Sequence, residues 1–314
     1  MNEHPIDPLR LCAPSAVLSL MQKHHIRPNK SLGQHFLIDR NVLRRIISAA
    51  QIQNDDHVLE IGTGFGTLTA AIAVRCKLVV TVEKDKKLAR IAEELLSPFE
   101  NVRLLIGDFT ELELHEVLEH DNVCERPWKV IGNLPYYATK PILMKLLSHR
   151  SLFELCTLTI QREVAERIAS SHGTKAYGIL SIAAQLFTDV ELLFDIPPTC
   201  FFPPPKVTSK VIRLRVRKVP KYEVHDEALF FRLVRAAFSE RRKRIINSLS
   251  SRAHLLGLSK EQIGIALNSA GIDPSTRAEH VNIDSFVRLA GVVHEMLIKA
   301  QTRKPTPRGE RREA

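Results

Sequence analysis

The chain is poor in cysteine, and the five it has, at positions 12, 76, 124, 156 and 200, follow no pairing pattern. None forms a Cys-x-x-Cys pair, and an odd number argues against a disulfide framework. Reduced, buried thiols are therefore expected, as in a cytoplasmic protein. Long apolar runs are missing too: no stretch approaches the ~18 uninterrupted apolar residues a membrane span needs. Ala13 to Met21 is weakly apolar but follows Glu3 and Asp7. Without a basic segment ahead of it, neither a signal peptide nor a mitochondrial presequence is expected. Internal repeats are also lacking. What remains is a chain of 314 residues and 44% hydrophobic content, the profile of a globular protein of about two domains.

Charge is unevenly spread. Residues 218–314 hold 18 Lys and Arg against 11 Asp and Glu, while the first 217 hold 27 against 24. The C-terminal third is the basic part, an electrostatic footprint for a polyanion.

Taken in order, Ser15 to His25 has a helical pattern behind Pro14. Arg27 to Leu37 is an irregular basic segment punctuated by Pro28 and Gly33. Asp39 is a good N-cap for a helix from Arg40 to about Gln51. His57 to Ile61 is a buried strand that runs into Gly62-Thr63-Gly64-Phe65-Gly66-Thr67 and opens a helix. Glycines there allow a tight turn and close approach of a ligand to the backbone. A dinucleotide fingerprint would need glycine at 67, which is Thr. Lys77 to Val82 is a second strand, and Glu83 after it can accept from ribose hydroxyls. Val102 to Ile106 is a third, followed by Gly107-Asp108-Phe109. Asp108 can accept from an adenine amine, and Phe109 can flank the ring.

The fourth strand starts near Trp128 and ends in Gly132-Asn133-Leu134-Pro135-Tyr136-Tyr137. In an open α/β sheet, ligands bind outside the carboxyl ends of the strands. An Asn carboxamide oxygen beside the Leu134 carbonyl makes two acceptors, which suits an exocyclic amine with two N–H donors. Pro135 fixes its own φ and restricts Leu134. Tyr136 can stack on a flat base. Four successive strand ends carrying a glycine loop, Glu83, Asp108 and Asn133 favour S-adenosylmethionine (SAM) over a nicotinamide dinucleotide.

Further strands are expected at Leu155–Ile160, Val190–Ile196 and Lys206–Val216, with a proline-rich crossover between the last two. A helix is expected at Tyr177–Phe187. Asp226 to Leu249 has apolar residues at helical spacing and is studded with Arg232, Arg235, Arg241, Arg242, Lys243 and Arg244. Ser259–Asn268 and Val281–Ile298 complete a helical region. The expected organisation is residues 1–217, residues 218–302, and a basic disordered tail over 303–314.

These stretches together resemble the small-subunit ribosomal RNA adenine dimethyltransferase family. The resemblance runs from about Lys30 to about Ala290. It is carried by Ser31-Leu32-Gly33-Gln34-His35-Phe36-Leu37, Glu60 to Thr69, Gly107-Asp108, Gly132 to Tyr136 and Phe201-Phe202-Pro203-Pro204-Pro205-Lys206-Val207. It implies a Rossmann-like class I SAM-dependent methyltransferase domain with a small helical C-terminal domain. The expected cofactor residues are His35, Leu37, Gly62, Gly64, Glu83, Asp108 and Asn133. The family usually has Asn where His35 stands; a backbone contact there would be indifferent to the change. The resemblance gives Asn133 and the Leu134 carbonyl to the target amine, with Tyr136 and Phe201 on the two faces of a flipped adenine. It gives Arg241, Arg242 and Lys243 to RNA. The implied reaction dimethylates two adjacent adenosines near the 3′ end of small-subunit ribosomal RNA, in an immature small ribosomal subunit, by a monomer. It needs no metal and no obligatory general base. A related large-subunit activity, or an RNA- or DNA-binding role without catalysis, would share the fold.

Overall fold

A computed structural model describes residues 11–29, 32–119 and 127–302. Lys30, Ser31, Cys124 and the tail from Arg303 lie outside the described residues. Among the described residues, no helix is long and apolar enough to cross a membrane. The chain divides into two compact units. One runs to Ala169 and takes in Ala183–Val219; the other comprises Ser170–Ile182 and the chain from Pro220.

The described residues of the first unit hold nine strands: β1 Phe36–Leu37, β2 His57–Ile61, β3 Leu78–Glu83, β4 Val102–Ile106, β5 Trp128–Asn133, β6 Phe153–Gln161, β7 Thr188–Ile196, β8 Phe201–Phe202 and β9 Ser209–Val216. Seven form one sheet in the order β4-β3-β2-β5-β6-β9-β7. The strands from β4 to β6 are parallel, and β9 runs antiparallel to both its neighbours. Strand order reverses between β2 and β5, which creates a crevice at their carboxyl ends. All five residues of β2 are buried, as a central parallel strand covered by helices requires. Asp39 caps the helix Arg40–Ala49 by accepting from the N–H groups of Asn41 and Val42. Asp85 does the same for Lys86–Leu96, whose Leu88, Ala89, Ile91, Ala92 and Leu96 face the core. Each cap contributes ~1 kcal/mol and fixes where the helix starts relative to the strand before it.

β1 and β8 pair with each other, Phe36 opposite Phe202 and Leu37 opposite Phe201. The Ile38 N–H donates to the Cys200 carbonyl at 2.8 Å. From the sequence, both stretches are expected to be irregular. A two-residue ladder has no periodicity to detect, and its partner is far away in the chain.

The second unit is helical: Glu227–Ala237, Ile245–Ser250, Ala253–Leu256, Lys260–Ser269 and Ile283–Thr302. Phe230, Leu233, Phe286 and Leu289 are buried in it. The single helix expected over Asp226–Leu249 breaks after Ala237 and resumes at Ile245. The reason is tertiary: the N–H groups of Ile245 and Ile246 donate to the carbonyls of Thr276 and Pro274, not to the preceding turn. The Arg-rich run therefore lies on a loop. Ser170–Ile182, expected in the first domain, packs with this unit. The Gly173 N–H donates to the Glu279 carbonyl, and the Tyr177 ring meets Phe238 edge-on at 6.1 Å.

Arg241 stitches this seam. It pairs with Glu279 at 3.0 Å and donates to the carbonyls of Lys175 and Tyr177. Lys243 pairs with Glu240. Arg242 is exposed and makes no hydrogen bond or ion pair with the described residues. Removing Arg241 leaves the carbonyls of Lys175 and Tyr177 and the Glu279 carboxylate without their donor. Arg241→Ala is expected to lower stability by about 1–3 kcal/mol, and Arg242→Ala to leave it unchanged, as urea unfolding would read.

Candidate active site

The carboxyl ends of β2, β3, β4 and β5 open into one cavity of about 1320 Å³, part of it continuous with solvent. It is lined by His35, Leu37, Gly62, Gly64, Glu83, Asp108, Asn133, Leu134, Pro135, Tyr136 and Phe201. These are all the cofactor, catalytic and stacking residues expected from the sequence. Arg241, Arg242 and Lys243 belong to the second unit and do not line the cavity.

The glycine loop is held from below. Gly64 has φ +58°, a left-handed conformation suited to glycine, and its N–H donates to Glu83 Oε2 at 2.8 Å. The other carboxylate oxygen of Glu83 accepts from the Asp85 N–H at 2.8 Å. Glu83 is buried, which pushes its carboxyl upward; the backbone N–H donors of Asp85 and Gly64 oppose this. Each oxygen keeps lone-pair capacity toward a ligand.

Beneath the loop lies Glu60, to which the sequence pattern assigns no role. Glu60 is fully buried, with no cation among its hydrogen-bond partners. Its Oε2 accepts from Thr69 at 2.5 Å and Thr81 at 2.6 Å, and the Thr81 hydroxyl meets that of Thr63 at 2.6 Å. The network links β2, β3, the glycine loop and the helix Thr67–Ala73. Burial pushes the Glu60 carboxyl from 4.5 to about 8, against the pull of the two threonine hydroxyls. The signal was available: a carboxylate in an otherwise apolar central strand must be neutral or paired. Because the folded protein keeps this proton while the unfolded chain loses it, stability is highest below pH 4.5 on this account and falls until about pH 8. In the same interval Glu60→Gln lacks that slope. Between pH 5 and 8 the variant is expected to gain on the wild type by on the order of a few kcal/mol in urea unfolding.

At the end of β4, Asp108 Oδ2 accepts from Lys84 Nζ at 2.6 Å, and Oδ1 accepts from the N–H and hydroxyl of Thr110 at 2.8 and 2.7 Å. Partial burial raises the carboxyl, but the Lys84 and Thr110 donors outweigh it and hold it at about 2. Asp108 is thus an anion throughout the physiological range. Its link to Lys84 was invisible in the sequence, because β3 and β4 come together only in the sheet.

At the end of β5, Asn133 Nδ2 donates to the His35 carbonyl at 3.0 Å. The contact uses the His35 backbone, so it survives the difference from the family's usual Asn. The His35 ring places Nδ1 2.7 Å from the Pro203 carbonyl. A carbonyl only accepts, so Nδ1 carries the proton. Leu134 donates its N–H to the Thr159 carbonyl at 3.0 Å and buries its side chain. Its carbonyl accepts no hydrogen bond from the described residues, and neither does Asn133 Oδ1. The Tyr136 hydroxyl meets Ser209 Oγ at 2.7 Å, which fixes the ring. Phe201 is buried across from Leu37 in the β1–β8 ladder. Gln34 also lines the cavity and donates to Asp85 at 2.9 Å, tying the N-terminal segment to the end of β3.

The donor set fits SAM. Glu83 and Asp108 offer acceptors for ribose hydroxyls and an adenine amine. At Gly62, with φ +88°, a Cβ would meet the Asn133 carbonyl oxygen at 3.6 Å. Among the described residues, Lys84 is the one Lys or Arg lining the cavity, and Asp108 already holds it. The sheet order and this cavity define a class I SAM-dependent methyltransferase.

Comparison with known proteins narrows the class. The ribosomal RNA adenine dimethylase profile matches residues 25–295. The chain is 40% identical over 287 residues to ribosomal RNA small subunit methyltransferase A of Geobacillus sp. (strain WCH70), covering 91% of this chain and 99% of that protein. It is 42% identical over 280 residues to the protein of the same name in Alkaliphilus metalliredigens (strain QYMF), covering 89% and 96%. Among solved structures, a dimethyladenosine transferase from Plasmodium falciparum shares the fold at a TM-score of 0.67 and 24% identity, covering 84% and 98%. The 23S rRNA methyltransferase ErmE matches at 0.59 and 27%, covering 82% and 99%. The chain belongs to the ribosomal RNA adenine dimethylase family.

Proposed function

We propose that this protein transfers methyl groups from SAM to the exocyclic amines of two adjacent adenosines near the 3′ end of small-subunit ribosomal RNA. It acts as a cytoplasmic monomer on the immature small subunit. The observation that carries this reading is the pair of open acceptors at the end of β5. Asn133 gives its amide N–H to the His35 carbonyl, and its oxygen, like the Leu134 carbonyl, has no donor among the described residues. The target amine is a poor nucleophile because its lone pair is shared with the ring. Two fixed acceptors on its N–H bonds favour a pyramidal nitrogen and stabilise the positive charge that develops.

SAM supplies a methyl group already activated on its sulfonium. Glu83 holds the ribose hydroxyls, Asp108 and Phe109 the adenine end, and His35, Leu37, Gly62 and Gly64 the remainder. The flipped target base stacks between Tyr136, anchored by Ser209, and Phe201. That stacking offsets ~1–3 kcal/mol of the cost of unstacking the base. In the second unit Arg242 neutralises an RNA phosphate, whereas Arg241 holds the seam; Arg242→Ala therefore flattens the salt dependence of RNA binding.

Two relatives at 40 and 42% identity carry the small-subunit name. The likeness to ErmE supports a large-subunit target as the second reading. Labelled methyl transfer to immature small subunits and to large subunits, run side by side, separates them. Label on small-subunit RNA alone is the expected result; label confined to large-subunit RNA overturns the target assignment.

A further inference from the structure

A further aromatic ring stands at the same cavity without a part in the reading above. Tyr137 lines the cavity and is 51% exposed, the one aromatic among the exposed large hydrophobic side chains of the described residues. The neighbouring Tyr136 is anchored through its hydroxyl to Ser209. Tyr137 has no hydrogen-bond partner for its hydroxyl among the described residues. Its backbone is fixed all the same, in the 3₁₀ turn Tyr136–Ala138. Gly33 closes in behind it: a Cβ there would lie 3.7 Å from the Tyr137 ring. Lys84 Nζ sits 5.8 Å from the ring centroid and is itself fixed on Asp108 at 2.6 Å. Lys140, three residues on, is exposed and has no ion pair among the described residues.

The exposed half of the ring gives the fold nothing, since apolar area stabilises only when buried. A preset exposed ring is how proteins hold unpaired nucleic acid: the base stacks on the ring, and a free cation nearby, as Lys140 is three residues on, faces the backbone. Here that surface adjoins the slot for a flat base.

We propose that Tyr137 is a second stacking platform, which holds the unpaired purine adjacent in sequence to the adenine in the cavity. The inference rests on the proposed function and adds a residue to it. Tyr136 then takes the reacting base and Tyr137 its neighbour. With both bases docked, the two adenosines need only exchange places for each to be methylated without release of the RNA.

The test is steady-state methyl transfer to immature small subunits by the full chain and its Tyr137→Leu and Tyr137→Phe variants, with calorimetric binding of S-adenosylhomocysteine alongside. Leucine keeps apolar bulk but loses the π-face, so KM for the subunit is expected to rise about tenfold, with kcat and S-adenosylhomocysteine affinity hardly altered. Phenylalanine keeps the ring and restores KM. Equal KM values for leucine, phenylalanine and wild type overturn the inference. A leucine variant whose loss is in S-adenosylhomocysteine affinity also overturns it, by assigning Tyr137 to the cofactor. Wild-type protein that methylates no ribosomal RNA removes the reading beneath it, and the inference with it.

Discussion

Asn133→Ala is expected to lower kcat for methyl transfer by about 10²–10³-fold, the loss typical of removing one prearranged polar group from a reacting centre. The side chain does two things at once. Its nitrogen is fixed on the His35 carbonyl at 3.0 Å, and its oxygen is left for the amine. Alanine keeps neither. The Asn133→Asp variant separates them: a carboxylate cannot donate to the His35 carbonyl, so the acceptor loses its anchor even though oxygen atoms are retained. It too is expected to lose most activity at neutral pH. Single-turnover kinetics with calorimetric S-adenosylhomocysteine binding check both variants. A collapsed rate with a much smaller change in S-adenosylhomocysteine affinity is the expected pattern; a fully active aspartate variant counts against the paired acceptors.

Gly132→Ala is the second large effect, and it acts on the sheet. A Cβ at this position would lie 2.6 Å from the Ile61 carbonyl oxygen, with Leu134 Cδ2 at 3.2 Å and Ile61 Cβ at 3.3 Å. The nearest atom is backbone, so the strand itself must move. Gly132 is paired with Ile61 in the β2–β5 ladder, and the residues that follow each, Gly62 and Asn133, line the cavity. The substitution is expected to cost about 1–3 kcal/mol as overpacking and to weaken S-adenosylhomocysteine binding together with stability. Gly291→Ala is the contrast. Nothing lies within 4 Å of its Cβ position, and it sits in the helix Ile283–Thr302. There alanine is expected to stabilise by up to ~1 kcal/mol. Urea unfolding of the two variants reads the difference directly.

The parts of the site that were legible in the sequence are those written within one strand and the turn after it. β2 and β4 run over His57–Ile61 and Val102–Ile106 as their apolar pattern indicated, and each strand end delivers its polar residue to the cavity. Interactions between strand ends were not legible. Lys84 and Asp108 belong to different strands, and nothing local announces their ion pair. The Asn133 anchor is a backbone carbonyl of His35, and a backbone atom has no sequence signature. The β1–β8 ladder joins two stretches that each look like loop. In the second unit, apolar spacing carried across Phe238–Arg244 suggested a continuous helix, but hydrogen bonds to Pro274 and Thr276 end it. Arg241, read as part of a basic RNA-facing run, donates instead to Glu279 and two carbonyls. Charge composition gives the count of cations, and only the fold shows which ones are free.

The measurement that bears most directly on the central claim is mass spectrometry of nucleosides from immature small subunits treated with the protein and SAM. The wild type should produce dimethyladenosine at two adjacent positions near the 3′ end of the RNA, and Asn133→Ala should leave both unmodified. Methylation at any other base or atom, or dimethyladenosine formed equally by the Asn133→Ala variant, would contradict the account.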